Sequence, residues 1–247
     1  RTVKTPVFAT KKVTTTVKGK KVTKNVPVLD SKGKPKIART ITKVIDYEMP
    51  NTAITVWYRT DGSGTTENFG KFLHGTAPTI WTKPGAPTFT ASTPKSIAGQ
   101  FNFQGQSGSA AVAAAAAKTQ YSVTYAESSY AKDNGLAIAN IKNEAGNWQA
   151  PTSGGVSAFL GAATVSAKGI VTFDYKTKVA GSYLFGTTSY ALVDTKQKDA
   201  ETAKAVRDLL SYLLDPKCPA TDPKQEFTTI TGALRDVNLK LIAQITN

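Results

Sequence analysis

Cysteine, histidine and methionine each occur once in this 247-residue chain. Cys218 alone admits no intrachain disulfide and no thiolate cluster, and is read as a buried or incidental thiol. His74 alone leaves out His-rich metal sites and paired-histidine chemistry, and its helical setting marks it as a packing or surface residue. No stretch approaches the roughly 18 apolar residues of a membrane-spanning helix. The chain opens without an initiator methionine or a leader-like segment, so a mature form or a fragment is expected. Neither G-x-x-x-x-G-K-[ST] nor G-x-S-x-G occurs, which removes the P-loop and the serine-hydrolase elbow. Hydrolysis is therefore disfavoured, and a protein that is not an enzyme and takes no cofactor is expected.

Acidic side chains are also scarce, 17 against 31 Lys and Arg, and the excess is unevenly spread. Residues 1–50 hold thirteen Lys and Arg against Asp30, Asp46 and Glu48, a net +10 of the chain's +14. Such a block suits nucleic acid, an anionic cell-envelope surface, or simply a solvated face. Phe8 and Tyr47 are its only aromatics, so base stacking lacks a platform and nucleic acid is disfavoured. Val13, Val17, Val22, Val26 and Val28 lie among Thr and Lys, with Lys18-Gly19-Lys20 as a hairpin turn. Ser31-Lys-Gly-Lys-Pro35 is a second turn, and Ile37, Ile41, Val44 and Ile45 mark a further strand. Residues 1–50 thus form a basic β-rich segment.

From Ile54 to about Tyr183 strands alternate with helices, the pattern of an α/β layer. Phe69–His74 is a helix, and the Pro/Gly/Thr-rich run Pro84–Gly108 a long loop. Ser107–Ala117 begins with capping residues and continues in alanine, which predicts a packed helix with a close neighbour. Ser122–Tyr125 is a strand, Glu127–Lys132 a short helix stopped by Asn134-Gly135, and Leu136–Ile141 another strand. Ser153–Ala163 and Ile170–Phe173 are patterned less sharply. Ser182–Val193 is apolar and β-prone. In Asp194–Leu214, Ala200, Ala203, Val206, Leu209, Leu210 and Leu213 recur at helical spacing, a stripe read as core packing. Gly232–Gln244 is a last helix.

One stretch carries most of the chemistry. Ile54, Val56 and Tyr58 alternate with Thr55 and Trp57 as in a strand. Thr60-Asp-Gly-Ser-Gly64 then supplies turn residues, with two glycines suited to positive φ or to close approach of a ligand. Thr65, Thr66 and Glu67 read as cap and first-turn residues of the next helix. Free N–H groups at a helix start bind anions readily, and Arg59 at the strand end brings a planar, permanently charged fork to the same place.

The string Arg59-Thr-Asp-Gly-Ser-Gly-Thr-Thr66 closely resembles the R-[SAT]-D-G-S-G-T-[ST] signature of the PstS-type phosphate-binding proteins of ABC transporters. The resemblance runs on in the family's order over about residues 52–247. Trp81-Thr-Lys-Pro84, YSVTYAESSYAKDN (Tyr121–Asn134), NEAGNWQAP (Asn143–Pro151), Gly186–Val193 and Asp199–Leu214 are each similar to a family segment. It implies a periplasmic-binding-protein-like (type II) two-lobed α/β fold. It divides the chain into a basic segment (1–50), a ligand-binding lobe (51–185), and a return strand with helices that complete or pack on the other lobe (186–247). It also implies that Arg59, oriented by Asp61, the Ser63 hydroxyl and N–H, the Gly64 N–H, and the Thr65 N–H and hydroxyl hold inorganic phosphate. A membrane permease of an ABC importer is then the partner and an extracytoplasmic location the setting.

The segment before Ile54 departs from that family, whose longer first lobe supplies further anion donors and a carboxylate that accepts the phosphate proton. No equivalent of that carboxylate is identified in the sequence. Three accounts stay open: a fragment lacking the first lobe, a basic β segment replacing it, or a vestigial site in a structural or adhesive surface domain. Asp61, an anion itself, suits orienting Arg59 better than touching another anion; as an isolated residue it is equally a turn-capping aspartate.

Overall fold

A computed structural model describes residues 2–17, 20–44, 50–217 and 227–247. Two compact units emerge, Arg1–Thr52 and Ala53–Asn247. The turn residues Lys18 and Gly19, the strand residue Ile45, and Cys218 lie outside the described residues.

The first unit is made of antiparallel ribbon. β1 (Thr2–Phe8) pairs with β4 (Ile37–Val44), and β2 (Thr10–Val17) with β3 (Lys20–Pro27). The β2–β3 register runs from Thr10↔Pro27 to Val17↔Lys20. Thr14 and Thr23 sit directly opposite, and their hydroxyls hydrogen-bond at 2.7 Å, a cross-strand pair that favours this register. The 31–35 turn is held by Asp30, whose Oδ1 accepts the N–H groups of Lys32 (2.8 Å) and Lys34 (2.9 Å), and by Gly33 at φ +75°. Asp30 is thereby occupied by backbone, while Lys11, Lys12, Lys21, Lys24, Lys32, Lys34, Lys36 and Arg39 are all exposed.

The second unit is built on a three-stranded parallel sheet of order β6-β5-β7. β5 (Thr55–Arg59) is central and feeds α1 (Gly64–Thr76) and the single turn α2 (Phe89–Ser92), after which β6 (Phe103–Gln106) pairs on one side of β5. α3 (Ser109–Ala117) then crosses to β7 (Ser122–Val123) on the other side. α2 and β6 lie inside the run expected as loop, because Gln104, Gly105 and Gln106 hide the alternation that marks a strand. The alanine-rich α3 is packed as expected, with Val112, Ala113 and Ala116 buried. Beneath the sheet, rings stack in a series: Tyr58 on Phe89 (4.8 Å), Phe89 on Tyr125 (5.9 Å), Tyr125 on Phe69 (4.6 Å). Pairs of this geometry add about 0.5–1.5 kcal/mol each beyond their burial.

α4 (Ser128–Asp133) ends at Asn134, with Gly135 at φ +66°. Of the strand expected over Leu136–Ile141 only the end pairs: β8 (Ile141–Lys142) forms a short hairpin with β9 (Trp148–Gln149). α5 (Ser153–Gly161) is capped by Thr152, whose hydroxyl accepts the Gly155 N–H, and β10 (Thr164–Val165) pairs with β11 (Val171–Thr172). α6 (Ala200–Leu213) and α7 (Gly232–Ile242) complete the unit.

Two expectations near the C-terminus are corrected. Ser182–Val193 forms no strand among the described residues: 182–184 and 186 are buried, whereas 187–193 run unpaired and Leu192 is 96 % exposed. A strand needs a neighbour to take its N–H and C=O groups, and none of the described strands pairs with it; β11 meets it only through the Val171 N–H, which donates to Tyr190 Oη at 3.0 Å. The helix starts at Ala200 rather than Asp194, because Asp199 caps it through the Thr202 N–H (2.7 Å) and Lys196 bridges to Thr246. Its stripe is only partly core. Ala203 is buried, but Leu209 and Leu213 are 59 % and 49 % exposed.

Candidate anion-binding site

Parallel strands in an open α/β sheet send their following loops off one edge, and a ligand crevice forms where successive connections leave in opposite directions. That condition holds at β5, whose successors flank it on either side. Arg59 is the last residue of β5 and lies level with Gln106, the last of β6. Arg59 and the residues that follow β5, β6 and β7 supply the groups of the site.

Arg59 is 14 % exposed and turns inward. Its Nε donates to Asp61 Oδ1 (2.8 Å), Nη2 donates to Asp61 Oδ2, and Nη1 donates to Ser109 Oγ (3.0 Å). Asp61 Oδ1 also accepts the Gly108 N–H at 3.0 Å. The aspartate therefore orients the fork, as its charge suggested. Three of the guanidinium's five N–H donors are used, and the rest stay available. The pairing with Asp61 raises the Arg59 pKa against the cost of its burial. In return Arg59, and then the Gly108 amide, hold the Asp61 carboxyl well below the usual carboxylate range.

A depressed folded-state pKa means that Asp61 stabilises the fold at neutral pH and that this contribution fades as the solution is acidified below its unfolded value of about 3.9. The stability difference between wild type and Asp61→Asn is expected to stay constant from neutral pH to about 5 and to shrink below about 4. Urea melts across that range measure it.

The structure moves the helix cap. Ser63, not Thr65 or Thr66, is the N-cap: its Oγ accepts the N–H groups of Thr65 (3.1 Å) and Thr66 (3.3 Å). The Ser63 N–H donates to Pro87 O at 2.9 Å, so that amide is committed within the protein. The Ser63 hydroxyl proton and the Gly64 N–H have no acceptor among the described residues. Neither Gly62 nor Gly64 has positive φ, and a Cβ at either would meet nothing within 4 Å. At Gly108 the glycine is required by a φ of +86°.

The other lining residues carried no local signal in the sequence. Ser109 opens α3, is buried, and leaves its own N–H and that of Ala110 without acceptors among the described residues. Tyr125 Oη accepts the Arg59 N–H (3.1 Å) and pairs with the Thr66 hydroxyl (2.8 Å), tying the end of β5 to α1; burial pushes the phenol's pKa up. Thr65 Oγ1 donates to Glu127 Oε1 at 3.1 Å. The starts of α1 and α3, tied to Arg59 through Tyr125 and Ser109, thus both carry amides with no acceptor among the described residues. His74 takes no part, hydrogen-bonding Trp81 O at 2.9 Å from the far end of α1.

The 84–87 loop that holds Ser63 is itself seated by Gly85. A Cβ there would lie 2.2 Å from Glu67 O and 2.7 Å from Lys71 N, both backbone atoms of α1. Gly85→Ala is expected to cost about 1–3 kcal/mol as the loop is forced outward. It also frees the Ser63 amide, so faster hydrogen exchange at Ser63 should accompany the lower urea midpoint.

The fold and this site define the class. The PBP superfamily domain matches residues 29–217, and the chain belongs to that superfamily. Among its relatives, Phosphate-binding protein PstS 3 of Mycobacterium tuberculosis is 32 % identical over 171 residues, covering 67 % of this chain and 44 % of the relative. PstS 2 of the same species is 31 % identical over 175 residues (68 % and 45 %). PstS of Pasteurella multocida is 32 % identical over 168 residues (66 % and 46 %). The chain spans under half the length of these relatives. Among the described residues no helix is long and apolar enough to cross a membrane.

Proposed function

We propose that the 53–247 unit captures inorganic phosphate without transforming it, through Arg59, Ser63, Gly64 and Thr65 with Asp61 as the orienting partner. The observation that carries this reading is the inward Arg59 fork, clamped by Asp61 between two helix starts whose leading amides are unsatisfied. Removing an oxyanion from water requires donors to replace its hydration, and a planar guanidinium beside helix-start amides supplies them in fixed directions. Glycines at 62 and 64 that no internal neighbour or backbone strain demands fit close approach by something from outside the chain. Ser109 and Ala110 extend the donor set by their N–H groups.

In this reading the protein acts outside the cytoplasm and delivers phosphate to the permease of an ABC-type importer. Residues 186–247 complete or pack on the other lobe, which fits the exposure of Leu192, Leu209 and Leu213. Among the described residues of the first unit, the eight exposed basic side chains suit an anionic cell-envelope surface. Calorimetry is expected to give micromolar or tighter phosphate binding, and the melting temperature to rise with phosphate, by about 2.7 kcal/mol of added stability at a hundredfold excess over Kd. Absence of both overturns the reading.

The second reading, a structural or adhesive surface domain that keeps the fold, draws on the commitment of the Ser63 amide to Pro87 and on donors that come from one wall only. It predicts no thermal shift even at millimolar phosphate.

A further inference from the structure

Where its two ribbons meet, the first unit turns its large apolar side chains outward. Val7, Ala9 and Val28 are half-buried there, whereas Phe8, Leu29 and Ile37 are 47 %, 56 % and 55 % exposed. Burial of apolar area alone would favour the reverse order. The pairing also brings the exposed set together. Phe8 lies opposite Ile37, and Leu29 opposite Pro35, and directly opposed residues share a face. Pro35 and Ile37 are two residues apart, the spacing at which an extended chain returns to one face. Three backbone hydrogen bonds fix the junction: Ala9 N–H to Lys36 O (2.8 Å), Val28 N–H to Ala9 O (2.9 Å) and Lys36 N–H to Val28 O (2.7 Å). Phe8, Leu29, Pro35 and Ile37 thus form one exposed apolar patch at the base of the 31–35 turn.

Cations surround the patch. Lys32, Lys34, Lys36 and Arg39 lie within three residues of its members in sequence, and all four are exposed. Asp30, the only carboxylate among the described residues of this unit, is spent on the amides of Lys32 and Lys34. Exposed apolar groups set among permanent positive charges match a surface that offers hydrocarbon and anionic headgroups side by side. A soluble polyanion would meet the cations but leave the phenyl and alkyl groups in water. A protein partner fits poorly on size, because four side chains fall short of the about 800 Å² that each side of a stable interface buries.

We propose that the face carrying Phe8, Leu29, Pro35 and Ile37 docks on an anionic lipid surface. The apolar side chains enter the headgroup boundary, and Lys32, Lys34, Lys36 and Arg39 pair with lipid phosphates. The proposal rests on the envelope-surface reading of the first unit and not on phosphate capture by the second. Lys21 and Lys24 stand apart from this contact. They pair with Thr16 and Val13, about 27 and 17 Å along the ribbon from Phe8 at about 3.4 Å per residue. Both distances exceed the roughly 8 Å over which charges interact at physiological salt.

The test is co-sedimentation of the whole chain with vesicles of equal parts phosphatidylcholine and phosphatidylglycerol, and with phosphatidylcholine alone. The wild type should partition onto the anionic vesicles, about 100-fold or more above the neutral ones, and come off as salt is raised. Lys32→Gln/Lys34→Gln/Lys36→Gln should lower the partition coefficient about 100-fold, at roughly fivefold per cation. Phe8→Ser/Leu29→Ser should lower it about 10- to 100-fold. Lys21→Gln/Lys24→Gln should stay within about twofold of the wild type. The three glutamines leave every residue of β1 and β4 in place, so they test the contact even where Phe8→Ser disturbs β1.

Equal losses in the two lysine variants, with none in Phe8→Ser/Leu29→Ser, overturn the proposal in favour of diffuse attraction to any polyanion. A wild type that ignores the vesicles but is retained on heparin overturns the lipid contact and leaves the envelope-surface reading standing. One that binds neither overturns both.

Discussion

Replacing Arg59 by alanine is expected to weaken phosphate binding by about 30-fold to several thousand-fold, since losing one partner of a desolvated charge pair costs about 2–5 kcal/mol. The size of the effect follows from how the chain holds the fork. It is held at three points, by both oxygens of Asp61 and by Ser109 at the start of α3, so its remaining donors have fixed directions. Little ordering is then left to be done on binding, which is where preorganised sites gain affinity. Alanine removes the donors and also leaves the Asp61 carboxylate with the Gly108 amide and no cation, adding a repulsive charge to the cradle. Lysine keeps the charge but cannot span two carboxylate oxygens and a serine from one plane. Arg59→Lys should therefore recover only part of the loss. Isothermal titration of both variants, after circular dichroism has established that they fold, measures the effect. Full affinity in Arg59→Ala would place the ligand elsewhere on the molecule.

The chemistry of that clamp was readable because it is local. Arg59, Asp61 and Ser63 lie within five residues, and a strand end, a turn and a helix start fix their relation before any tertiary contact forms. The same locality explains the Asp30 turn and the cap of α1 to within two residues, the error arising because Ser63 and Thr65 are both good caps and only the backbone decides between them. What was not readable is what the topology assembles. Ser109 lies fifty residues from Arg59 and Tyr125 sixty-six, and neither carries a mark that separates it from any other serine or tyrosine. β6 carries no such signal because a half-exposed edge strand, held by pairing with β5, can be written with glutamine and glycine. The converse holds at Ser182–Val193, whose β-prone composition predicts a strand although pairing requires a partner strand. Leu209 and Leu213 show the same limit: helical spacing tells which residues share a face, not whether anything covers it.

Phe159→Ala is expected to lower stability by about 3–5 kcal/mol, the usual range for truncating a fully buried aromatic. For a unit of this size that corresponds to a fall in melting temperature of roughly 2–4 °C per kcal/mol. Phe159 is fully buried on α5, with its ring 5.4 Å from Phe173 and 5.6 Å from Tyr175, and it lies against Gly186, where an added Cβ would come within 3.1 Å of it. This second aromatic cluster meets the Tyr58–Phe89–Tyr125–Phe69 series through Phe185 and the α1 residue Phe72, whose ring lies 6.3 Å from Tyr175. Tyr175 packs against Gly75, its Oη donates to Asn68 Oδ1 (3.3 Å), and Asn68 Nδ2 donates to Gly186 O (3.2 Å). Burial pushes the Tyr175 phenol up to about 12, so opening the cluster should let it ionise at lower pH, visible in ultraviolet titration. The position of Arg59 depends on β5, Ser109 and Tyr125 instead, so the folded fraction of Phe159→Ala should keep its phosphate affinity. A loss of affinity in step with the loss of stability would mean that α1 transmits packing between the two clusters, and that the site is held by the whole unit rather than by the sheet edge alone.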